Sequence, residues 1–528
     1  MAEPTEGAGP SGLALTDEHR ELADVARAFL ADHHALAAAR SLLDADAEPL
    51  PTFWPELRKL GWLGLHVPEE YGGDGYGLPE LAVVLAELGR AVAPGPFLPT
   101  VLASAIIAEA GPPELRAALL PELAGGVRTA AVGLTDADGE RGWLVLGGGP
   151  ADLLVVPTGA DLLVLDASAG FAVTTVAGMD PTRRVAEVRR HDAADGATDT
   201  AGLLGRIPGG RAVALRLART LASAEAAGMA AACLDAAVGY VKRREQFGRP
   251  VGSFQAVKHH CANLLVDTEL AVAAAWDAAR AGTGPEAELA AAVAAVRALP
   301  GAVRAAEQNI QLHGGIGYTW EHDAHLYLRR ALVLATLLDA AAPADEDVVR
   351  LVSDGVRRRA TLDLPAEAET YRSQARAVAA RLRELPNADR RAELVSSGYL
   401  VPHWPAPWGR DADAVEQLVI EEELATAGVK VPNLAITGWV ALTIAQYGTP
   451  EQAERWIADA LAGRTTWCQL FSEPGAGSDA AAISTRGVWD EGEGGWRISG
   501  QKVWTSGAQF SRYGFATVRT DSSGPTHS

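Results

Sequence analysis

Cysteine is nearly missing from this chain: Cys233, Cys261 and Cys468 are the three in 528 residues, widely spaced and with no C-x-x-C pair. Neither a disulfide framework nor a zinc site is indicated, and a reducing cytoplasm is the expected compartment. Basic charge is also short, with 46 Lys and Arg against 67 Asp and Glu for a formal charge of −21. Such a surface repels a phosphate backbone, so nucleic acid is not expected as a partner. The amino terminus, MAEPTEGAGPSGLALTDEHR, lacks a basic stretch followed by an apolar core. No uninterrupted apolar run reaches the length of a bilayer crossing, so neither export nor a membrane span is expected. What is present is apolar material for large cores, 48% of residues, in a chain long enough for three or four domains.

A repeat organises that length. The stretch LGWLGLHVPEEYGGDGYGLPELAVVLAELG matches SGYLVPHWPAPWGRDADAVEQLVIEEELA, pairing Gly61 with Gly398, His66 with His403, Pro68 with Pro405 and Gly72 with Gly409, each 337 residues apart. GPPELRAALLPELAGG and GTPEQAERWIADALAG keep the same spacing through Gly126 and Gly463. The register is therefore expected to run without a gap over more than 60 residues. Helical periodicity appears at 15–33 and 79–95, and again at 369–383 and 413–427. Short apolar runs, WLVLGG, DLLVVPTG and DLLVLDASAGFAVTTV, read as strands, as do TTWCQLFSEP, AAISTRGVWD, GWRISGQKVWT and YGFATVRTD in the second copy. Long helices return over 208–340, and a charged Ala/Pro stretch from 341 to 368 reads as a linker.

Three separated motifs carry chemistry. In FSEPGAGSD, Gly475 and Gly477 are expected to permit positive φ and close backbone approach, while Ser472 and Ser478 offer hydroxyls. The lysine of a phosphate loop is absent, so a flat heteroaromatic cofactor suits the loop better than a nucleotide phosphate. Arg244 in REQFG can bind pyrophosphate oxygens by charge-assisted hydrogen bonds, and Gly314 and Gly315 in QLHGGIG let a phosphate or adenosine come close.

Read in order, REQFGRPVGSFQAVKHH, QLHGGIGYTWEHDAHLYLRRA and FSEPGAGSD…GQKVWTSG resemble the acyl-CoA dehydrogenases. The resemblance covers one complete copy and a truncated second copy, as in a tandem-fused, actinobacterial-type member. It implies a mainly α fold with β domains: a helical N-domain, a middle β-barrel and a C-terminal four-helix bundle, then a partial second copy. The expected domains are the helical N-domain of copy 1 (1–127), its β domain (128–207), its bundle (208–345), a linker (346–368), the N-domain of copy 2 (369–464) and a partial flavin-binding β domain (465–528).

The implied cofactor is FAD, with Phe471, Ser472, Gly477, Ser478, Trp504 and Ser506 at the isoalloxazine. Arg244, Phe247, Gln255, Gln311 and Gly315 match the residues that reach a neighbouring subunit's FAD in that family. Glu321 stands where many members carry the base, and Tyr318 and Trp320 are expected to give it an apolar setting that raises its pKa. An alternative base position on an earlier helix holds Ala218 and Arg219 here, so no carboxylate is offered there. By the repeat spacing, SEPGAGSD falls on TDADGERG, which puts Arg141 where Ser478 stands, so the first β domain is expected to have lost its flavin site. One FAD per two copies is the consequence, with copy 1 acting as a built-in dimer mate for copy 2.

The resemblance implies an acyl-CoA substrate, an electron-transfer flavoprotein as partner, and a homo- or hetero-oligomer. A non-catalytic partner or scaffold subunit and an acyl-CoA oxidase are the alternatives. Likeness to the actinobacterial fused members points to a bulky acyl group such as a sterol side chain. The second copy ends without its helical third part, so either the chain is a fragment or those elements come from elsewhere.

Overall fold

A computed structural model describes residues 15–137, 142–190, 202–358 and 364–521. The chain divides into two units, Met1–Leu362 and Asp363–Ser528.

The first unit begins with helices α1 (Asp17–Asp32), α2 (Ala35–Ser41), α3 (Trp54–Lys59), α4 (Leu78–Arg90), α5 (Phe97–Ala110) and α6 (Pro113–Ala124). The Thr16 hydroxyl caps α1 by accepting from the His19 amide at 3.3 Å. Helix α5 is apolar almost all round, so it is a core helix, buried from Phe97 to Ile107. Its two hydroxyls are satisfied: Thr100 accepts from the Ala130 amide at 3.1 Å, and Ser104 donates to the Val101 carbonyl at 3.1 Å.

A sheet comes next, of β1 (Ala130–Gly133), β2 (Trp143–Leu146), β3 (Leu153–Thr158), β4 (Asp161–Asp166), β5 (Phe171–Thr175), β6 (Val185–Arg190) and β7 (Leu203–Ile207). The strand order is β5-β6-β2-β1-β3-β4-β7, antiparallel except where β1 and β3 run parallel. One face packs its own core around Val145, Leu154 and Val188, while Val132, Leu153 and Val164 join the helical core.

Then come α7 (Gly210–Arg243), the two-residue strands β8 (Glu245–Gln246) and β9 (Arg249–Pro250), α8 (Gln255–Arg280), α9 (Pro285–His313), α10 (Ala324–Ala341) and α11 (Ala344–Ser353). Helices α7 and α9 are long and apolar enough to cross a membrane, contrary to the expectation from uninterrupted apolar runs, but 67% of each apolar window is buried inside the protein. Helices α4 and α7 cross backbone to backbone: a Cβ on Gly228 would lie 1.9 Å from the Ala86 carbonyl oxygen, and one on Gly89 2.1 Å from that of Glu225. Beside this crossing, Arg183 grips Glu225 with two hydrogen bonds of 2.7 and 2.8 Å, and Arg330 adds a third at 2.7 Å while also pairing with Asp180. This neutral, fully buried cluster fastens the loop before β6 to α7 and α10. Residues 346–353, expected as linker, are helical: α11 buries Leu351 and pairs Asp347 with Arg219 at 2.7 Å.

The second unit holds α12 (Ala368–Glu384), α13 (Asn387–Ser396), α14 (Ala414–Thr426), α15 (Ala435–Tyr447), α16 (Pro450–Leu461), β10 (Trp467–Leu470), β11 (Arg486–Asp490), β12 (Gly495–Ser499) and β13 (Tyr513–Ala516). Strand β10 pairs parallel with β13, and β11 pairs antiparallel with β12. The repeat is visible in three dimensions, since α16 and β10 sit 337 residues after α6 and β1 at both ends of each element. Gly61 and Gly398 share a left-handed φ of 73° and 74°.

The gap-free register, however, breaks once. A Cβ on Gly409 would lie 2.4 Å from the Val401 and Trp404 carbonyl oxygens; in copy 1 the glycine squeezed against the equivalent oxygens, of Gly64 and Val67, is Gly73 and not Gly72, whose Cβ position is open. Copy 2 is one residue shorter in that turn. The shifted register also aligns Glu87, held by Arg27 at 2.7 and 3.0 Å, with Glu423, held by Arg372 and Arg376 at 3.0–3.1 Å.

Candidate functional site

Strand β10 delivers Phe471 and Ser472 to its end, and the buried carboxylate of the next residue organises the segments around it. Glu473 accepts from Lys502 Nζ at 2.8 Å, the Ser484 amide at 2.6 Å, the Ser484 hydroxyl at 2.7 Å and the Thr485 amide at 3.0 Å. Lys502 also donates to the Phe471 carbonyl at 3.0 Å, and the Val503 amide donates to the Ser472 carbonyl at 2.9 Å. Three segments are thereby locked together: the end of β10, the start of β11 and the KVW stretch. The Lys502 ammonium, followed by the hydrogen bonds from Thr485 and Ser484, holds the Glu473 carboxyl well below the usual carboxylate range. Sequence reading missed this pair; its signal was the acid inside FSEPG and the lone base inside GQKVW.

Around this lock the expected ring contacts gather on open surface. Phe471 and Ser472 are half-buried, while Gly477, Ser478 and Ser506 are exposed. Trp504 is 91% exposed and sits at φ 58°, a left-handed conformation unfavourable for a bulky side chain. Neither Gly475 nor Gly477 takes the positive φ expected of it, and nothing lies within 4 Å of a Cβ built on either. The fold itself does not require glycine at these two positions. Their bare backbone is room kept for something outside the chain, which fits a planar cofactor edge.

In copy 1 the corresponding acid, Asp136, is used differently: it accepts from the Gly159 amide at 2.9 Å and pairs with Arg211 of α7. No equivalent of the Glu473–Lys502 lock forms there among the described residues. Arg141, expected in place of Ser478, lies outside the described residues.

In the first unit, α7, α8 and α9 run up, down and up, so the end of α7, the start of α8 and the end of α9 lie at one end of the bundle. Tyr240 and His313 stack there with ring centroids 4.4 Å apart. Arg244 ends α7, Gln255 opens α8, Gln311 lies in the last turn of α9, and Gly315 comes just after it, all exposed. Phe247 tips the β8–β9 turn, 91% exposed at φ 56°, its ring 5.9 Å from that of Phe254. Gly314 takes φ 65° at the C-cap of α9, and the Cβ positions of Gly314 and Gly315 are both open. Fold topology thus brings together Arg244, Phe247, Gln255, Gln311 and Gly315, from motifs some 60 residues apart in sequence.

Glu321 departs from its expected setting. It is exposed, and its neighbours Tyr318 and Trp320 are 89% and 64% exposed, so no apolar pocket surrounds it in this unit. The Thr319 hydroxyl, its own backbone amide and the Arg40 charge lower its pKa, the opposite of the shift expected. The cause is the turn itself: Arg40 pairs with Asp323 at 2.6 Å and donates to the Trp320 carbonyl, which sets a cation beside the carboxylate.

Comparison with known proteins agrees with the repeat. The family model for the acyl-CoA dehydrogenase N-terminal domain matches twice, at 16–127 and 351–464; the C-terminal-domain model matches 212–338 and the middle-domain model 468–528. Acyl-CoA dehydrogenase FadE34 of Mycobacterium tuberculosis is 40% identical over 535 residues, covering 97% of this chain and 72% of that protein. The chain belongs to the acyl-CoA dehydrogenase family. It is therefore an oxidoreductase of that family, mainly α with β domains.

Acyl-CoA dehydrogenase IpdE2 of Mycobacterium tuberculosis is 38% identical over 330 residues, covering 61% of this chain and 94% of that one. Among solved acyl-CoA dehydrogenase structures, a Tcur3481-Tcur3483 steroid ACAD variant superposes with a TM-score of 0.56 at 30% identity, over 64% of this chain and 98% of that one. The ChsE4-ChsE5 complex from Mycobacterium tuberculosis gives 0.55 at 25% identity, over 66% and 100%.

Proposed function

We propose that this acyl-CoA dehydrogenase is FAD-dependent, forms a double bond between the α and β carbons of an acyl-CoA thioester, and passes the electrons to an electron-transfer flavoprotein. The observation that carries the proposal is the loop at 475–477. Its glycines are unneeded by the fold, it comes directly after Glu473 of the lock, and Trp504 is held outward in strained backbone two residues beyond Lys502. Bound FAD would supply the hydride acceptor.

The chain's own residues do the rest. Ser472, Gly477, Ser478 and Ser506 present amide and hydroxyl donors to the polar edge of the ring, and Phe471 and Trp504 cover it and exclude water. The guanidinium of Arg244, exposed and without an ion pair among the described residues, suits a pyrophosphate oxygen, with Phe247, Gln255, Gln311 and Gly315 around the adenosine end. Glu321 is the base that the motif offers for the α proton. Exposed and low in pKa as it stands, it becomes an effective base only when bound substrate or a partner surface removes water from it. The acyl group is bulky and steroid-like, by similarity to the solved steroid ACAD. The setting is a cytoplasmic oligomer.

The test is reconstitution with FAD, followed by turnover of a panel of acyl-CoA thioesters with electron-transfer flavoprotein as acceptor. Stoichiometric flavin and acceptor-dependent enoyl-CoA formation support the proposal. Peroxide formation without the acceptor identifies an oxidase, and tight flavin without turnover identifies a partner subunit. A preference for short straight chains removes the steroid assignment. If Glu321→Gln keeps full turnover, the base is another residue.

A further inference from the structure

The first copy, whose acid lock is missing, keeps a cavity. About 80 Å3 of space lies where the sheet, α5, α7 and α10 meet. Leu134 and Thr135 form its sheet side, and by the 337-residue spacing they are the counterparts of Phe471 and Ser472, the proposed ring contacts of copy 2. Leu102 lines it from α5, Ala218 and Ala222 from α7, and Leu338 from α10. The two alanines lie four residues apart, on one face of α7, and their short side chains leave the room that larger residues would fill. Both are buried, 2% exposed each, as are Leu102 and Leu338 at 4% and 5%. The mouth lies beside Leu144, which is 43% exposed. The lining carries no charged side chain, and its one polar side chain is the Thr135 hydroxyl.

We infer that this cavity is a binding site for a small uncharged hydrocarbon group, such as a branched alkyl end or an aromatic ring. A site of this kind has too few polar partners to hold ordered water, so it stays dry and gains dispersion contacts when filled. An anion is excluded, because no donor charge faces it. The site binds without redox chemistry, and the inference does not depend on the flavin reading of copy 2.

Xenon and benzene are the probes, with benzoate as the charged control, on the full chain. Crystals under xenon pressure show a xenon peak bordered by Ala222 and Leu338. Benzene gives a saturable rise in the melting temperature of the first unit, and benzoate at the same concentration gives none. Ala222→Leu fills the space and lowers benzene affinity at least tenfold with loss of the xenon peak. Ala218→Val, a smaller insertion that keeps the fold if Ala222→Leu does not, lowers affinity less but in the same direction. The inference is overturned by a wild-type crystal without xenon in this cavity, by a benzene shift that both variants leave unchanged, or by benzoate acting as strongly as benzene.

Discussion

Glu225→Gln tests how the first unit is held together. The carboxylate is fully buried and accepts three hydrogen bonds of 2.7–2.8 Å from Arg183 and Arg330, both of which are also buried. With Asp180 the cluster is neutral. The substitution keeps the shape, removes one negative charge and turns an amide N–H2 toward guanidinium donors. Two buried cations then share one carboxylate. Breaking a buried pair in this way costs about 3–5 kcal/mol, against roughly 0–1 kcal/mol for an exposed pair such as Arg20–Asp17.

Because the chain has two units, a single melting temperature is a poor readout. Hydrogen exchange by mass spectrometry reads the effect locally, in peptides spanning 180–183, 220–230 and 326–334. The expected rise in exchange is about a hundred- to several-thousand-fold, with peptides of the second unit unchanged. The sign against pH is also fixed. Burial pushes the Glu225 carboxyl up, but Arg183 and Arg330 outweigh it and leave the pKa below its ordinary value. Its contribution is therefore complete above the unfolded carboxylate pKa and is lost as pH falls through the lower folded value; the variant lacks that acid limb. A change below about 1 kcal/mol, or one spread equally over both units, would refute the clamp.

Glu48 should behave in the opposite way. Burial raises it to about 7 despite the Arg184 amide at 2.7 Å, and one carboxyl oxygen has no partner, so stability declines as pH rises from about 4.5 to 7. Glu48→Gln should remove that decline and stabilise the first unit at pH 8 by on the order of 3 kcal/mol in urea titrations. Gly475→Ala and Gly477→Ala should leave the second unit's stability within about 0.5 kcal/mol while lowering the flavin-to-protein absorbance ratio after reconstitution. Trp504→Gly should relieve left-handed strain, raising stability by about 1 kcal/mol, and weaken flavin binding in fluorescence titrations; a loss of both would refute the strain. Arg244→Ala should lower FAD affinity roughly tenfold with no change in stability, the loss expected for one charge-assisted hydrogen bond.

The family, the repeat and the motif residues were legible in the sequence because they depend on short patterns: glycines at turns, alternating strands and helical stripes. Strands at WLVLGG and YGFATVRTD and helices at 369–383 and 413–427 were read from those patterns, within a few residues of where they form. Three-dimensional contact decided the rest. The lost residue between Trp404 and Gly409 shows only when Gly73 and Gly409 are seen pressed on equivalent carbonyls. The Glu473–Lys502 lock joins residues 29 apart. The helix in the expected linker forms because Leu351 and Asp347 find partners on the body of the first unit. The exposed state of Glu321 and its lowered pKa reflect a turn held by Arg40, which belongs to the opening helices of the chain.

Sequence alone determined which residue types were available and in what local conformation. Tertiary structure determined which of them met, and therefore which charges are paired, which glycines face open space and where a cavity remains. Desolvation and pairing depend on neighbours that distant segments supply, and no local pattern encodes them.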